Sequence, residues 1–318
     1  MPAALLDPAT LLLGVIMLLV GGDVLVRGAI ALSQRLGVSP MIVGLTVVAF
    51  GTSAPELALN ISAAVRGNTD LSFGNIVGSN IANIGLILGI SALLKPMAVH
   101  TALLKREIPV MIVVSILFAA MAMTPRTGLP RIGRAEGIVL LIGFLAFAEM
   151  MRRGATRGET PEKPPPKTPV GLAILMLGAG LGLLVAGGTL GEHGAVGVAR
   201  LLGLSETVIG LTVVAVATSL PELATSLMAA RRGHTDIAVG NIVGSNIFNI
   251  LLVMGTTATI APTPLPPGGW RPLATMLLLA VLLVPISRTS RGSISRLEGA
   301  VLLAIYTASL TLEVLLSR

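Results

Sequence analysis

Residues 51–89 read GTSAPELALNISAAVRGNTDLSFGNIVGSNIANIGLILG, and residues 217–255 read ATSLPELATSLMAARRGHTDIAVGNIVGSNIFNILLVMG. The second stretch is the first displaced by 166 residues, with no gap. Thr52 falls on Thr218, Pro55 on Pro221, Glu56 on Glu222, Asn75 on Asn241, Ser79 on Ser245 and Asn83 on Asn249. Each copy sets a proline and a carboxylate inside an apolar run, where both are costly. Matched interruptions in the hydrophobic segments of two halves point to a binding site of the kind transporters use.

Composition says where such a chain lives. Hydrophobic residues make up 53% and charged residues 12%, about half the roughly 25% charge of a soluble domain. Mean hydropathy is +0.91, and the apolar runs reach the ~20 residues needed to cross a bilayer. The fold class is therefore an all-α polytopic membrane protein. Net charge is +7, but the basic residues cluster between apolar runs. With 3% aromatics there is no stacking platform for nucleic acid, and the charge reads as a determinant of membrane orientation. Cysteine is absent, which excludes disulfides and thiolate metal sites.

Ten transmembrane helices are expected, at about 9–32, 41–65, 71–94, 102–123 and 136–151, then 170–190, 207–230, 237–260, 272–286 and 297–316. The first has no basic n-region and is too long for a signal peptide. Its Gly14, Gly21 and Gly22 recur as Gly180, Gly187 and Gly188, so it belongs to the repeat. The repeat extends to the last span, where Glu136-Gly137 returns as Glu298-Gly299 at an offset of 162. Five spans per half is an odd number, so the halves enter from opposite sides, as two inverted five-helix repeats. Repeat 1 covers 1–151 and repeat 2 covers 170–318. The proline-rich segment 152–169 between them reads as an extended cytoplasmic linker. Lys and Arg divide 7 against 15 between the two faces, which makes the face carrying Arg27, Lys105, Arg106, Arg152 and Arg232 cytoplasmic. Both termini are then extracytoplasmic, in a multi-pass protein of the inner (cytoplasmic) membrane.

Thr52 and Glu56 are four residues apart and share a helical face. Pro55 cannot donate to the carbonyl one turn back, which frees backbone oxygens around residues 49–52. Carboxylate, hydroxyl and carbonyl are hard ligands, suited to Ca²⁺ or Na⁺. Asn75, Ser79 and Asn83 lay amide and hydroxyl oxygens along one stripe, and Thr218, Glu222, Asn241, Ser245 and Asn249 repeat the arrangement. Asn80 and Asn246, one residue off the stripe, read as packing residues. No Lys or Arg lies near Glu56 or Glu222 in sequence, so their partner is a cation or a proton. Asp23 is expected to pair with Arg27. Glu136 and Glu298 sit at span ends, where solvation suffices. His100, His193 and His234 are placed in loops, and no nucleophile–base set or cofactor motif is present.

The paired motifs GTSAPEL with GNIVGSNIAN, and ATSLPEL with GNIVGSNIFN, resemble those of the cation/calcium exchanger superfamily, specifically its compact prokaryotic sodium/calcium exchangers. The resemblance implies four cation sites among the second, third, seventh and eighth helices, with Glu56 and Glu222 as the central calcium ligands. It also implies that Thr52, Thr218, Ser53, Ser219, Ser79 and Ser245, with the carbonyls of Ala49 and Ala215, line the calcium and sodium sites. Asn83 and Asn249 flank the middle site, and the first and sixth helices are sliding gates. Asn249 departs from relatives that carry aspartate there, which argues against potassium co-transport.

The expected function is electrogenic Na⁺/Ca²⁺ antiport by alternating access. It involves no enzyme chemistry and no cofactor, and the only partners are the transported ions and the bilayer. A Ca²⁺/H⁺ antiporter is the alternative, although hydroxyls at Thr52, Ser53, Thr218 and Ser219 suit Na⁺. A passive channel would need an open pore, usually ringed by several subunits, whereas one chain here holds both half-sites.

Overall fold

Helices carry almost all of the regular structure in this computed structural model, which describes residues 3–124, 130–155, 168–202, 215–289 and 292–316. The first half contains α1 (Ala3–Leu36), α2 (Pro40–Thr52), α3 (Ala54–Val65), α4 (Thr69–Leu94), α5 (Leu103–Met123) and α6 (Arg134–Ala155). The second half contains α7 (Val170–Leu201), a single turn at Ala215–Ala217, α8 (Leu220–Arg231), α9 (Thr235–Ile260), α10 (Trp270–Thr289) and α11 (Arg296–Leu316). Seven of these are long and apolar enough to cross a membrane, and the bent pair α2–α3 makes an eighth. Apolar side chains stand exposed along the outer helices, among them Leu12, Leu145, Leu175 and Leu297, on surfaces that hydrocarbon suits. The chain is a multi-pass membrane protein.

Several expected boundaries are corrected. The span expected at 41–65 is broken at Ser53, with a 40° bend between α2 and α3. Pro55 at the start of α3 is the cause, since proline is preorganised for the first turn of a helix and cannot continue the previous one. The span expected at 170–190 runs on to Leu201, so His193 lies within α7 and not in a loop. The spans expected at 136–151 and 272–286 prove to be helices of 22 and 20 residues, because charged and polar residues at their ends still take helical geometry. Residues 152–155, expected to begin the extended linker, continue α6. Of the span expected at 207–230, residues 207–214 lie outside the described residues, as do 156–167 of the linker.

Four two-residue strands, β1 (Met97–Ala98), β2 (Arg131–Ile132), β3 (Thr263–Pro264) and β4 (Ser293–Ile294), tie the halves together. β1 pairs antiparallel with β4, and β2 with β3. The repeat offsets map β1 onto β3 and β2 onto β4, so each ribbon takes one strand from each half, in exchanged roles.

Two helix contacts place the site. α1 and α7 cross with their backbones touching: a Cβ on Gly14 would lie 2.4 Å from the Gly191 nitrogen, and one on Gly180 would lie 2.7 Å from the Leu25 nitrogen. Only small residues permit this approach. α4 and α9 run through the centre, with α9 buried continuously from Ile237 to Leu251. Glu136 and Glu298, expected to be merely solvated, instead cap the starts of α6 and α11. Glu136 accepts from the Gly133 N–H at 3.0 Å, and Glu298 accepts from the Ser295 N–H at 2.6 Å. In the second case the Glu298 N–H is within 3.4 Å of the Ser295 hydroxyl, which completes a capping box.

Candidate functional site

The break at Ser53 brings opposite helix ends together. The C-terminal carbonyls of α2 end where the first turn of α3 begins, and Glu56 sits in that first turn. A carboxylate is favourable at a helix N-terminus, and terminal carbonyls attract a cation. Leu220-Pro221 opens α8 in the same way and puts Glu222 in its first turn. One detail differs between the copies. The Ser53 N–H reaches the Ala49 carbonyl at 3.0 Å, whereas the Ser219 N–H reaches the Val216 carbonyl at 3.1 Å. The Ala49 carbonyl, expected to be free, therefore accepts from the Ser53 N–H and also has the Thr52 hydroxyl at 3.4 Å.

Glu56 and Glu222 are both 1% exposed and lie within Coulombic range of each other. Oε2 of each has no hydrogen-bond partner, and among the described residues neither forms an ion pair. Two buried like charges without a basic partner need a compensating cation or proton. The surroundings of Glu222 are drawn from both halves: the Ser53 hydroxyl donates to its Oε1 at 3.2 Å, and the hydroxyls of Thr52 and Ser245 border it.

The polar stripe divides into two kinds of amide. Asn75 and Asn241 are satisfied at both ends. Asn75 accepts from Asn60 at 2.7 Å and donates to the Thr218 hydroxyl at 3.4 Å. Asn241 accepts from the Thr52 hydroxyl at 3.2 Å and donates to the Ser226 hydroxyl at 3.3 Å. Because Thr52 and Thr218 each bond into the opposite half, these bonds brace the two halves against each other. Asn83 and Asn249 differ, since the Oδ1 of each is buried without a partner. The hydroxyls of Ser79, Ser245 and Ser219 are likewise unpartnered. Such atoms are expensive to bury, and each of these five belongs to a position the 166-residue offset matches with the same residue type. Asn83 and Asn249 also lie where α4 and α9 widen into a π-helical turn, Ala82–Leu88 and Asn249–Met254, a feature common at functional sites.

A family model described as "Sodium/calcium exchanger protein" matches residues 6–151 and 172–315, nearly the whole chain. The chain belongs to the sodium/calcium exchanger family. Among relatives, the sodium/calcium exchanger MaX1 of Methanosarcina acetivorans is 33% identical, with 94% of this chain and 96% of that protein aligned. The putative antiporter CaxA of Alkalimonas amylolytica is 41% identical over 73% of this chain and 75% of its own. The fold matches the sodium-calcium exchanger NCX_Mj, in a crystal soaked with Na⁺ and Sr²⁺, at a TM-score of 0.84. Identity in that match is 32%, covering 96% of this chain and 98% of the other.

In this exchanger-family chain the expected ligands Thr52, Ser53, Glu56, Ser79, Asn83, Ser219, Glu222, Ser245 and Asn249 are all buried. Thr218 is half-buried, and Ala215 lies in the turn before it. Asp23 pairs with Arg27 at 2.9 Å as expected, and in addition takes Arg232 from the end of α8 at 2.6 Å. Asn80 and Asn246, read as packing residues, bridge helices of the two halves. Both are hydrogen-bonded to the stripe, as Asn83 Nδ2 donates to Asn246 Oδ1 and Asn249 Nδ2 to Asn80 Oδ1. Among the described residues no cluster of three or more His, Asp or Glu side chains forms a resident metal centre.

Proposed function

We propose that the chain is a secondary antiporter that moves Ca²⁺ out of one compartment against Na⁺ through alternating exposure of one site. The observation that carries this reading is the pair Glu56 and Glu222, buried without a basic partner among unpartnered hydroxyl and amide oxygens. One Ca²⁺ neutralises two carboxylates. Oxygens from Thr52, Ser53, Ser79, Asn83, Thr218, Ser219, Ser245 and Asn249, with the Ala49 and Ala215 carbonyls, offer more monovalent positions than there are charges, so three Na⁺ exchange for one Ca²⁺. The relatives' names as exchangers and antiporters support the same reading.

The membrane arrangement belongs to this proposal. Ten spans form two inverted five-helix repeats, 1–151 and 170–318, joined by the cytoplasmic linker 152–169. The exchanged strand ribbons support it, because each joins two loops that the Lys and Arg distribution assigns to one face. Both termini are then extracytoplasmic in the cytoplasmic membrane. The α1–α7 pair, smooth with glycine, slides across the site to open it alternately to either side.

Three Na⁺ for one Ca²⁺ moves one net charge, worth about 2.3 kcal/mol per 100 mV. The two carboxylates could instead carry two protons against one Ca²⁺ with no net charge. Calcium uptake into proteoliposomes, with Na⁺ or H⁺ gradients imposed separately at two clamped potentials, separates the two. Uptake driven by Na⁺ and sensitive to voltage is expected. Uptake that follows the pH gradient and ignores both Na⁺ and voltage would assign the proton as counter-ion.

A further inference from the structure

Four asparagines meet at the centre of the molecule, each no more than 2% exposed. Asn83 Nδ2 donates to Asn246 Oδ1 at 2.9 Å, and Asn249 Nδ2 donates to Asn80 Oδ1 at 3.3 Å. Both bonds cross between the halves, and the 166-residue offset converts each into the other. An amide carries its donor and acceptor on one planar carbon, so fixing the nitrogen also fixes the oxygen. With their nitrogens engaged in this way, Asn83 and Asn249 are left with Oδ1 unpartnered. The turn that carries Asn249 packs against α3, which holds Glu56, and the turn that carries Asn83 packs against α8, which holds Glu222.

The nitrogen ends of the outer pair have little to hold them. Asn80 Nδ2 faces the Met276 sulfur at 3.7 Å. Asn246 Nδ2 faces the Met111 sulfur at 3.7 Å and the Asn80 carbonyl at 3.5 Å. Thioether sulfur is a weak acceptor, so the strong polar contact each of these residues makes is through its oxygen. An apolar side chain would fill the same space without that oxygen. The Asn83 or Asn249 amide would then be free to turn its NH₂ group, which repels cations, toward the carboxylates.

We propose that Asn80 and Asn246 are positioning residues that hold the carbonyl oxygens of Asn249 and Asn83 toward the transported cation and set calcium affinity through them. This rests on the assignment of Asn83 and Asn249 as cation ligands made above.

The test is calcium binding to the purified chain in detergent, read as the Ca²⁺-dependent rise in melting temperature, for Asn80→Leu and Asn246→Leu. Each is expected to weaken Ca²⁺ binding roughly fivefold to tenfold, the worth of one oriented polar contact. In an Asn249→Ala background, Asn80→Leu should weaken binding no further, because it acts only through Asn249. A purely structural role would lower the calcium-free melting temperature in both backgrounds and leave the Ca²⁺ dissociation constant alone. Wild-type affinity in both leucine variants, or additive losses in the double variant, overturns the inference. If a leucine variant does not fold, Asn80→Ala and Asn246→Ala, which cannot overpack, are read by the same criteria. Glu56→Gln, titrated in parallel, keeps the two claims apart. Binding retained in Glu56→Gln removes the site itself, whereas binding lost there but unaltered in Asn80→Leu removes only this inference.

Discussion

The Ser53 hydroxyl donates to Oε1 of Glu222 at 3.2 Å, so a residue of the first signature motif serves the carboxylate of the second. The counterpart contact is absent among the described residues, since the Ser219 hydroxyl has no partner. A hydrogen bond to a charged group is worth about 1.5–3 kcal/mol. Ser53→Ala should therefore weaken Ca²⁺ binding roughly tenfold, and by more than Ser219→Ala. Glu56→Gln and Glu222→Gln should each abolish calcium uptake in a folded, membrane-inserted protein, because an amide keeps the shape but not the charge. Titration of all four variants in detergent, together with uptake into proteoliposomes, checks the order. Near-normal uptake in either glutamine variant would place the site elsewhere.

The glycine crossing of α1 and α7 should tolerate no added atom. Gly180→Ala sets a methyl 2.7 Å from the Leu25 nitrogen, whereas nothing lies within 4 Å of the corresponding position on Gly182. Gly180→Ala is expected to abolish uptake or to lower the yield of folded protein, and Gly182→Ala to match the wild type. Equal behaviour of the two variants would show that the helices do not need this close approach.

Asp23 on α1 is held by Arg232 at the end of α8, beside its own Arg27. The repeat places an exposed Thr189 at the matching position of α7, so that half has no matching acid. Both partners of the Asp23–Arg232 pair are about one-third exposed, which limits its worth to about 1 kcal/mol. Its use is as a reporter of movement. The chain has no cysteine of its own. Asp23→Cys with Arg232→Cys, joined by a short thiol-reactive bridging reagent, should stop uptake, and a reductant that cleaves the bridge should restore it. Full uptake in the bridged protein would exclude movement of α1 against α8.

Membrane sidedness is testable in the same cysteine-free background. Ala155→Cys should be protected from impermeant thiol reagents in intact cells, and Pro130→Cys should be labelled. The opposite pattern would reverse the orientation read from the Lys and Arg distribution, while leaving the pairing of loops into ribbons unchanged.

Membrane character, the duplication and the two glutamates were legible from residues alone. Bilayer hydrocarbon leaves few solutions for an apolar chain, and a carboxylate in such a run is too costly to keep without a use. The gap-free offset of 166 between residues 51–89 and 217–255 needs no coordinates. What sequence could not decide is which oxygens are spent and which are left over. Asn75 and Asn83 look alike on one stripe, yet Asn75 is satisfied at both ends while Asn83 keeps a bare oxygen. The difference lies in Asn60 on α3, which donates to the Asn75 oxygen, whereas among the described residues no donor reaches the oxygen of Asn83. The same holds for the break at Ser53, where the proline shows that a helix must yield but not by what angle. It holds again for Asn80 and Asn246, whose oxygens gain a purpose only when the two halves close on each other. Spacing along one chain specifies the faces of helices; the partners that satisfy a polar atom come from other helices, and only tertiary packing brings them within hydrogen-bonding distance.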